Sequence, residues 1–186
     1  MAGFEYCSVD TADVPDSEEY TRPPTELLQS IDTASLPPAR LRLRIGAPVM
    51  LLRNLFPQEG LCNGTRMVVT RLGKASIQCR ILGGDFHDQI RIIPRTKLSA
   101  ADSGLPYTVS RVQLPVRLCF AMTINKSQGQ SFQDVGVDLR ESVFTHGQFY
   151  VAVSRATDVK NCMILTHPES NERVLNVVFP EVLRRR

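Results

Sequence analysis

The sequence lacks several features that identify common classes of protein. No run of ~18 or more apolar residues is present, so no membrane span is expected. The acidic N-terminal stretch has no continuous apolar core and therefore does not have the pattern of a secretory signal. The five cysteines are widely dispersed, without the Cys-x-x-Cys spacing of a zinc site. We therefore expect an intracellular protein with reduced thiols and no metal site.

Two parts of a self-contained ATP site are also missing. A phosphate-binding loop needs the spacing Gly-x-x-x-x-Gly-Lys-Ser/Thr, but the only Gly-Lys pair, Gly73-Lys74, has Val68 at the leading position. No Asp-Glu dipeptide follows an apolar strand, where an acidic magnesium site would lie. The three histidines lie in unrelated contexts, so no catalytic triad or Cys/His pair is indicated. This chain alone is not expected to hold Mg-ATP.

Charge is distributed unevenly along the 186 residues. Residues 1–36 carry eight Asp/Glu against one Arg, a balance of −7, whereas residues 37–186 carry 21 Lys/Arg against 11 Asp/Glu, a balance of +10. A basic body suits a polyanionic partner such as nucleic acid. Lysine and arginine also cover ordinary solvated surfaces, so charge alone leaves both interpretations open.

Hydrophobic periodicity predicts a small antiparallel barrel over about residues 39–98. Apolar and basic residues alternate from Leu41, and short strands joined by glycine-containing turns follow. The predicted barrel strands are residues 41–45, 48–54, 66–72, 75–82 and 89–94. Before the barrel, residues 4–9 are a predicted strand, residues 10–19 an acidic loop and residues 25–31 a short helix.

From residue 114 the pattern changes to alternating strands and helices. Strands are predicted at residues 114–121, 135–139 and 162–166, and helices at residues 122–130 and 146–156. Alternating elements imply a parallel sheet flanked by helices. We expect the strand at residues 4–9 to join that sheet, which makes the barrel an insertion, and residues 172–186 to form a solvated tail.

The first segment that could carry chemistry is residues 121–131. It places hydroxyls, an amide, a lysine and a glycine between two strands, at the edge where α/β sheets bind ligands. Gly129 would allow a ligand to approach the backbone closely. The side chains that could bind phosphate are Thr123, Asn125, Lys126 and Ser127. A polar helical turn closed by a glycine explains the same residues equally well.

In the second segment, residues 146–156, Ser154 and Arg155 lie at the C-terminal end of the predicted helix. An arginine fixed at the end of a helix can present a planar, permanently charged fork to a phosphate across an interface. It can also neutralise the negative end of its own helix, and the residues alone favour this second interpretation.

The third segment, residues 53–66, contains the pair Asn63-Gly64. A hairpin turn is the favoured interpretation of that pair. Alternatively, the turn is a loop whose Asn63, Thr65 and Arg66 touch the phosphates of a partner.

Four strings of the sequence carry a family resemblance in a consistent order. They are LRLRIGAPVMLLRNLFPQEGLCNGTRMVVTRL, IIPRTKL, VQLPVRLCFAMTINKSQGQSFQDVGVDL and HGQFYVAVSRAT. They resemble the C-terminal portion of the PIF-type (petite integration frequency) DNA helicases of superfamily one, from about residue 6 to about residue 166. The likeness is closest to the eukaryotic branch that includes the helicase domains of Helitron transposons.

The resemblance implies a motor of two RecA-like domains, with a small Src-homology-three-like barrel inserted in the second. The implied fold class is α/β, an incomplete RecA-like parallel-sheet domain with an inserted antiparallel β-barrel. Residues 1–38 begin the second RecA-like domain and include an acidic loop, residues 39–110 are the barrel, residues 111–170 complete the RecA-like domain, and residues 171–186 are a tail. The first RecA-like domain, with its phosphate loop and magnesium site, is expected N-terminal to residue 1, together with the leading part of the second.

The resemblance also implies roles for individual residues. TINKSQG resembles helicase motif V, which touches single-stranded DNA and connects it to the nucleotide cleft; many relatives have histidine at Asn125. The implied DNA-binding residues are Thr123, Asn125, Lys126 and Ser127, to which the loop residues Asn63 and Thr65 are added. Gln128 and Gly129 are implied to face ATP. YVAVSRA resembles motif VI, whose arginine, here Arg155, is the finger that reaches the γ-phosphate and so has a catalytic and nucleotide-binding role.

Two functions are compatible with these features. The first is the C-terminal part of an ATP-dependent 5′-to-3′ DNA helicase of repair, recombination and telomere maintenance, inactive alone. It would use ATP and Mg²⁺, with the metal held outside this chain, and its partners would be single-stranded DNA and the first RecA-like domain. Its expected location is the nucleus, with mitochondria as the family's other site. The alternative is a non-catalytic module derived from a helicase or a Helitron transposon that binds nucleic acid or protein.

Overall fold

The computed structural model describes residues 3–13, 23–33, 35–100, 106–170 and 173–183. The chain is a mixed α/β protein with several sheets and few helices, and it divides into two compact units, Met1–Phe120 and Ala121–Arg186. The α-helices of the described residues are α1 (Thr25–Ser30), α2 (Gln148–Val153) and α3 (Pro180–Leu183). Among those residues, no helix combines the length and apolar character that crossing a membrane requires.

Antiparallel strands dominate the first unit. They are β1 (Phe4–Cys7), β2 (Val9–Asp13), β3 (Arg40–Leu43), β4 (Pro48–Leu51), β5 (Arg66–Leu72), β6 (Ser76–Ile81), β7 (Ile90–Pro94), β8 (Thr96–Ala100), β9 (Thr108–Gln113) and β10 (Val116–Leu118). One sheet has the order β10-β4-β5-β6-β7, a second has the order β2-β9-β8, and β1 pairs with β3. Strand alternation builds the core, because Leu41 and Leu43 of β3 are buried between exposed arginines.

A close approach of two loops lies beside the five-stranded sheet of the first unit. Gly60 has a left-handed backbone conformation with φ of 80°, and a Cβ atom at this position would lie 2.6 Å from the ring of Phe86. Both the conformation and the contact therefore require glycine. Phe86 in turn packs against the main buried cluster, which includes Tyr6, Leu51 and Met67.

A buried arginine connects distant parts of the first unit. The Arg111 guanidinium, whose side chain is 1% exposed, forms a two-pronged ion pair with Asp10, at 2.9 and 3.1 Å. It also donates to the carbonyl oxygens of Leu28, Ile31 and Pro37 at distances between 2.7 and 3.2 Å. These five bonds use the full donor capacity of an arginine side chain. Arg111 thus joins β9 to β2, to α1 and to the segment before β3.

The second unit is built on two parallel strands, β11 (Val135–Leu139) and β12 (Cys162–Thr166). One face of this pair carries Val137 and Leu139, which are buried with Ala152 of α2 and with Val143. On the other face, Met163 is 70% exposed. The sheet and α2 together position the polar residues that connect them.

Several predicted elements are confirmed. The bounds of β5, β11 and β12 agree with the predicted strands at residues 66–72, 135–139 and 162–166, and β11 pairs with β12 in parallel. The predicted strands of the barrel region all occur, with shorter bounds for some, and α1 covers most of the predicted helix. The predicted division into domains stays a prediction.

The predicted position of the N-terminal strand is wrong. Residues 4–9 do not join the parallel sheet; β1 pairs antiparallel with β3, and β2 pairs antiparallel with β9. Tyr6 of β1 is buried in the core of the first unit, and this burial favours the pairing of β1 with β3. Part of the predicted acidic loop is β2, because Asp10 pairs with Arg111. The rest of that loop, residues 14–19, lies outside the described residues.

Three further predictions differ from the structure. The strand predicted at residues 114–121 is β10, which pairs antiparallel with β4 instead of extending the parallel sheet. The helix predicted at residues 122–130 is a 3₁₀ turn, Ile124–Ser127. In the predicted solvated tail, Val174 and Val177 pack against the second unit's core. The sequence analysis also did not predict the strands β8 and β9.

Candidate functional site

A polar turn follows the first unit and precedes β11. We use "polar turn" for residues 123–130. Its 3₁₀ segment, Ile124–Ser127, begins where the amides of Lys126 and Ser127 donate to the carbonyl of Thr123, at 3.0 and 3.3 Å. Gly129 then adopts φ of 77°, a left-handed conformation that ends the turn and that glycine adopts without strain.

The side chains of the polar turn have different surroundings. Thr123, Asn125 and Lys126 are exposed and available to a ligand. Ser127 is buried, and its hydroxyl donates to the carbonyl of Ile124 at 2.7 Å. A hydroxyl has a single proton to donate, so Ser127 stabilises the turn rather than offering that proton to a phosphate. The predicted nucleotide-facing residues, Gln128 and Gly129, are exposed.

Arg155 lies just beyond the end of α2 and bonds in three directions. Its Nε donates to the carbonyl of Val151 at 2.9 Å, its Nη1 to the carbonyl of Gln130 at 2.7 Å, and its Nη2 to Oγ of Ser154 at 2.9 Å. The first bond satisfies a carbonyl at the C-terminal end of α2, where a cation is electrostatically favourable. The second bond attaches the guanidinium to the polar turn. These bonds agree with the interpretation that Arg155 neutralises the end of its own helix, and its contact with a phosphate stays a prediction.

Main-chain bonds reinforce this connection. The amide of Phe132 donates to the carbonyl of Arg155 at 2.9 Å, and the amide of Thr157 donates to the carbonyl of Phe132 at 3.0 Å. These bonds form a parallel bridge between Phe132 and Ala156. The structure thus brings the polar turn and Arg155 together within the second unit.

Asn63 and Thr65 belong to the first unit. The Thr65 hydroxyl donates to the carbonyl of Gly60 at 2.8 Å and accepts from the amide of Cys62 at 3.1 Å. The backbone amide of Asn63 donates to Oδ1 of Asn54 at 2.7 Å, and Asn63 is exposed. Thr65 is therefore a stabilising residue of its own loop, and of the two only Asn63 presents an exposed side chain.

The only strongly shifted carboxyl pKa among the described residues belongs to Asp138 in β11. Hydrogen bonds from Arg140 hold the pKa of Asp138 at about 2, well below its ordinary value. Asp138 is thus an ionised, paired carboxylate at neutral pH. Moreover, no group of three or more His, Cys, Asp or Glu residues in the described part of the chain could hold a metal ion.

Gln130 is a site residue that the sequence analysis missed. It receives the guanidinium of Arg155 on its carbonyl, and its side chain donates from Nε2 to the carbonyl of Lys126 at 3.0 Å. The first contact uses a main-chain atom, which every residue type possesses. No residue pattern could have predicted it.

Two family models match the chain. The model described as "DNA helicase Pif1, 2B domain" matches residues 26–72, and the model described as "Helicase" matches residues 110–178. The first match lies within the first unit, and most of the second match lies within the second unit.

Curated relatives are similar over most of the chain. An ATP-dependent DNA helicase PIF1 of Danio rerio is 36% identical over 166 residues, which are 86% of this chain and 25% of that protein. The ATP-dependent DNA helicase PIF1 of Homo sapiens is 37% identical over 143 residues, or 75% of this chain and 21% of that protein. The chain thus spans about a quarter of the length of these relatives.

Solved structures have similar folds. A Pif1 helicase from Candida albicans is 28% identical with a TM-score of 0.63, covering 88% of this chain and 39% of that one. Bacteroides Pif1 in complex with ADP-AlF4 is 25% identical with a TM-score of 0.58, covering 94% of this chain and 35% of that one. Bacteroides Pif1 bound to ssDNA, at 24% identity and a TM-score of 0.64, covers 97% of this chain and 38% of that one and shows likeness of fold alone.

Proposed function

Because the chain belongs to the PIF1-type DNA helicase family and corresponds to a C-terminal portion of its members, we propose that it is part of an ATP-dependent 5′-to-3′ DNA helicase. The observation that carries this proposal is the bond from Arg155 to the carbonyl of Gln130, which links a candidate phosphate-facing cation to an exposed polar turn. A motor needs such a link, since nucleotide chemistry must change the grip on DNA.

In this proposal the second unit, with its parallel pair β11–β12, is part of an incomplete RecA-like domain. The antiparallel sheet of the first unit is a small Src-homology-three-like barrel inserted into that domain. We keep residues 39–110 as the proposed extent of the barrel and residues 111–170 as the second part of the RecA-like domain. A first RecA-like domain is the proposed partner and supplies the phosphate loop.

The polar turn is proposed to bind the backbone of single-stranded DNA. Lys126 supplies charge, while Thr123 and Asn125 donate hydrogen bonds from exposed positions. Ser127 holds the turn in shape through its bond to the carbonyl of Ile124. Asn63, in the first unit, is proposed as a separate DNA contact. Such contacts do not read sequence and weaken as salt rises, because binding releases condensed counterions.

Arg155 is proposed to approach the γ-phosphate of ATP held by the partner domain. It is half-buried at the end of α2, and a cation positioned there compensates the charge that develops during phosphoryl transfer. Gln128 and Gly129 are proposed to face the nucleotide. When bound, ATP would supply the free energy of the helicase cycle through its hydrolysis. Mg²⁺ is proposed to bind to the partner domain, because the described residues of this chain lack an acidic cluster.

Binding to single-stranded DNA tests the DNA side. The affinity of the chain for a fluorescein-labelled oligothymidine is measured by anisotropy across a salt series. We expect the affinity to fall with salt, and Lys126→Ala to reduce the slope of log affinity against log salt by about 0.7, the contribution of one lost phosphate contact. Lys160→Ala is the matched control, since Lys160 is also exposed in the second unit. A flat salt response, or equal slopes for the two variants, would contradict the DNA role.

ATP hydrolysis tests the arginine. The chain is mixed with a separately expressed phosphate-loop domain, and DNA-stimulated hydrolysis is measured. Arg155→Ala is expected to lower the stimulated rate about 10³-fold or more, as for other arginine fingers, whereas Arg140→Ala retains it. Activity that survives Arg155→Ala would remove the finger assignment.

The second candidate function is a non-catalytic module that binds nucleic acid or protein. The specific observation in its favour is that Arg155 already bonds to three groups within its own unit. DNA binding without hydrolysis in the mixture would favour this module. Action in repair, recombination and telomere maintenance, and a nuclear or mitochondrial location, remain proposals that follow from the family.

A further inference from the structure

Three exposed arginines line the outward side of β3 and its continuation. Arg40 and Arg42 belong to β3, and Arg44 follows it directly. They alternate with Leu41 and Leu43, whose side chains are buried in the core of the first unit. We call these three arginines the arginine row. It belongs to the first unit, whereas the polar turn belongs to the second.

The charges of the arginine row are largely uncompensated. Within the described part of the chain, Arg40 and Arg44 form no ion pair and no side-chain hydrogen bond. Residues two positions apart along an antiparallel strand are about 6.8 Å from each other. This distance is shorter than the Debye length of about 8 Å at physiological ionic strength, so dissolved salt does not fully screen the repulsion between neighbouring arginines. A polyanion lying along β3 would relieve that repulsion.

The neighbouring strand, β1, offsets only the middle of the arginine row. Its register places Glu5 opposite Arg42 and the uncharged Cys7 opposite Arg40. Nε of Arg42 donates to the carboxylate of Glu5 at 2.6 Å, yet the Arg42 side chain is 80% exposed. This bond uses one of the five N–H groups of a guanidinium. Glu5 therefore lowers the positive charge at Arg42 without covering that side chain.

A fourth arginine adds positive charge at the Arg40 end of the strand pair. Nη2 of the half-buried Arg95 donates to the carbonyl of Cys7 at 2.7 Å, and Cys7 is the residue opposite Arg40. Among the described residues, Arg95 has no acidic partner. In these contacts, four cations therefore accompany a single carboxylate, that of Glu5.

A nucleic-acid backbone suits this arrangement. It presents one phosphate per nucleotide, and neighbouring phosphates of a single strand are separated by a distance similar to that between alternate residues of a β-strand. An arginine guanidinium binds a phosphate through two parallel N–H groups. Arg40 and Arg44 have all their N–H groups available for such a contact, and Arg42 has four of its five.

We propose that the arginine row is a second DNA-binding site, at which the phosphate backbone of a single strand lies along β3. The identity of the polyanion rests on the proposed function, whereas the site itself depends on neither Arg155 nor the polar turn. The contacts are to phosphates and therefore do not read sequence. DNA displaces Glu5 from Arg42, so Glu5 acts as an internal competitor that limits the affinity.

The salt dependence of DNA binding tests the arginine row in the full chain. Affinity for fluorescein-labelled oligothymidine is measured by anisotropy across a salt series. Arg40→Gln/Arg44→Gln is expected to reduce the slope of log affinity against log salt by about 1.4, since each phosphate contact to a single strand contributes about 0.7. Arg80→Gln/Lys97→Gln is the matched control, because it removes two exposed positive charges from other sheets of the first unit. Equal slopes for the two double variants would overturn the proposal.

Glu5→Gln provides a test in the opposite direction. It removes the carboxylate that occupies Arg42, so we expect higher affinity for oligothymidine and a slope that is steeper by up to about 0.7. Glu59→Gln is the matched control, because it removes the same charge from the first unit at a carboxylate that lies 3.4 Å from Arg91, outside the arginine row. Equal gains in affinity for the two variants would show that net charge, and not the arginine row, governs binding.

Further measurements locate the DNA and identify the ligand. The NMR signals of the Nε–H groups of Arg40 and Arg44 are expected to shift when oligothymidine is added, while that of Arg80 stays in place. Arg40→Lys/Arg44→Lys keeps both charges but lacks the planar fork, so it should keep the slope and bind less tightly. In Lys126→Ala, poly-L-glutamate is expected to displace labelled oligothymidine less well than unlabelled oligothymidine of equal charge. Equal displacement would overturn the assignment to DNA in favour of an acidic peptide.

The outcomes distinguish this proposal from the proposed function. If Lys126→Ala reduces the slope and Arg40→Gln/Arg44→Gln behaves as its control, the arginine row is wrong while the proposed function stands. If the arginine-row variant reduces the slope and Lys126→Ala does not, the arginine row stands and the DNA role of the polar turn fails. Circular dichroism spectra identify any unfolded variant; should Arg40→Gln/Arg44→Gln unfold, the comparison of Glu5→Gln with its control decides.

Discussion

The two compact units differ in what holds them together. Among the described residues, the main buried cluster of the first unit has 15 members, while that of the second unit has four. The second unit also carries large exposed apolar side chains, such as Phe144 at 77% and Met163 at 70% exposed. Its candidate site is held by hydrogen bonds around Arg155 rather than by a large core.

This difference separates a scaffold from a site. The residues proposed to face ATP and the polar turn lie in the unit with the smaller core. Bonds that connect short segments can be exchanged during a functional cycle, whereas a close-packed core cannot be rearranged without a large cost. The first unit is therefore expected to tolerate substitutions at exposed positions and to lose stability when its buried ion pairs and hydrogen bonds are removed.

Arg111→Ala is expected to produce the largest loss of stability. It removes the partner of the buried Asp10 carboxylate, whose side chain is 0% exposed, and leaves three main-chain carbonyls without their donor. Breaking one partner of a buried ion pair typically costs about 3–5 kcal/mol, so the free energy of unfolding of the first unit should fall by about that amount. Urea denaturation followed by circular dichroism, together with alkylation of buried Cys79, measures it.

Arg42→Ala is the matched control for this prediction. Arg42 also pairs with an acidic residue of the N-terminal region, Glu5, at 2.6 Å, but its side chain is 80% exposed. An exposed pair contributes about 0–1 kcal/mol, so the control should remain close to the unmodified chain. Similar losses for both variants would show that burial of the Arg111 pair is not what stabilises the first unit.

Strand periodicity predicted local structure well but could not predict strand partners. A period of two identifies β5, β11 and β12 because each carries alternating or continuous apolar residues between turn signals. It does not say which strand lies beside residues 4–9. The deciding contacts, from buried Tyr6 and from Asp10 to Arg111, connect residues up to 101 positions apart. The sequence predicts a loop at Asp10 because the cation that pairs with it lies in β9, 101 positions away.

The side chains of the candidate site could be predicted from the sequence, but the hydrogen bonds that connect them could not. Lys126 and Arg155 stand out by residue type and by the motifs they complete. Their link through Gln130 uses a carbonyl oxygen, so no residue type announces it. Ser127 shows the reverse case, because a hydroxyl that suits phosphate by chemistry is buried and bonded to the carbonyl of Ile124.

Alkaline pH is expected to lower the stability of the first unit, because Cys79 is buried there. The loss should be smaller than the one expected for Arg111→Ala. Burial raises the pKa of the Cys79 thiol from its ordinary 9.0 to about 12. Above pH 9 the unfolded chain loses this proton while the folded chain keeps it, so the free energy of unfolding of the first unit falls, by about 1.4 kcal/mol per pH unit, until the folded thiol itself ionises. Burial raises the pKa of Tyr6 as well and adds to the same trend.

Urea denaturation at pH 8, 9 and 10 measures how steeply the stability of the first unit falls with pH. Cys79→Ala isolates the contribution of the thiol, since this variant should be less stable at pH 8 yet lose less stability on going to pH 10. Equal slopes for Cys79→Ala and the unmodified chain would mean that the thiol is not the group whose ionisation the first unit resists.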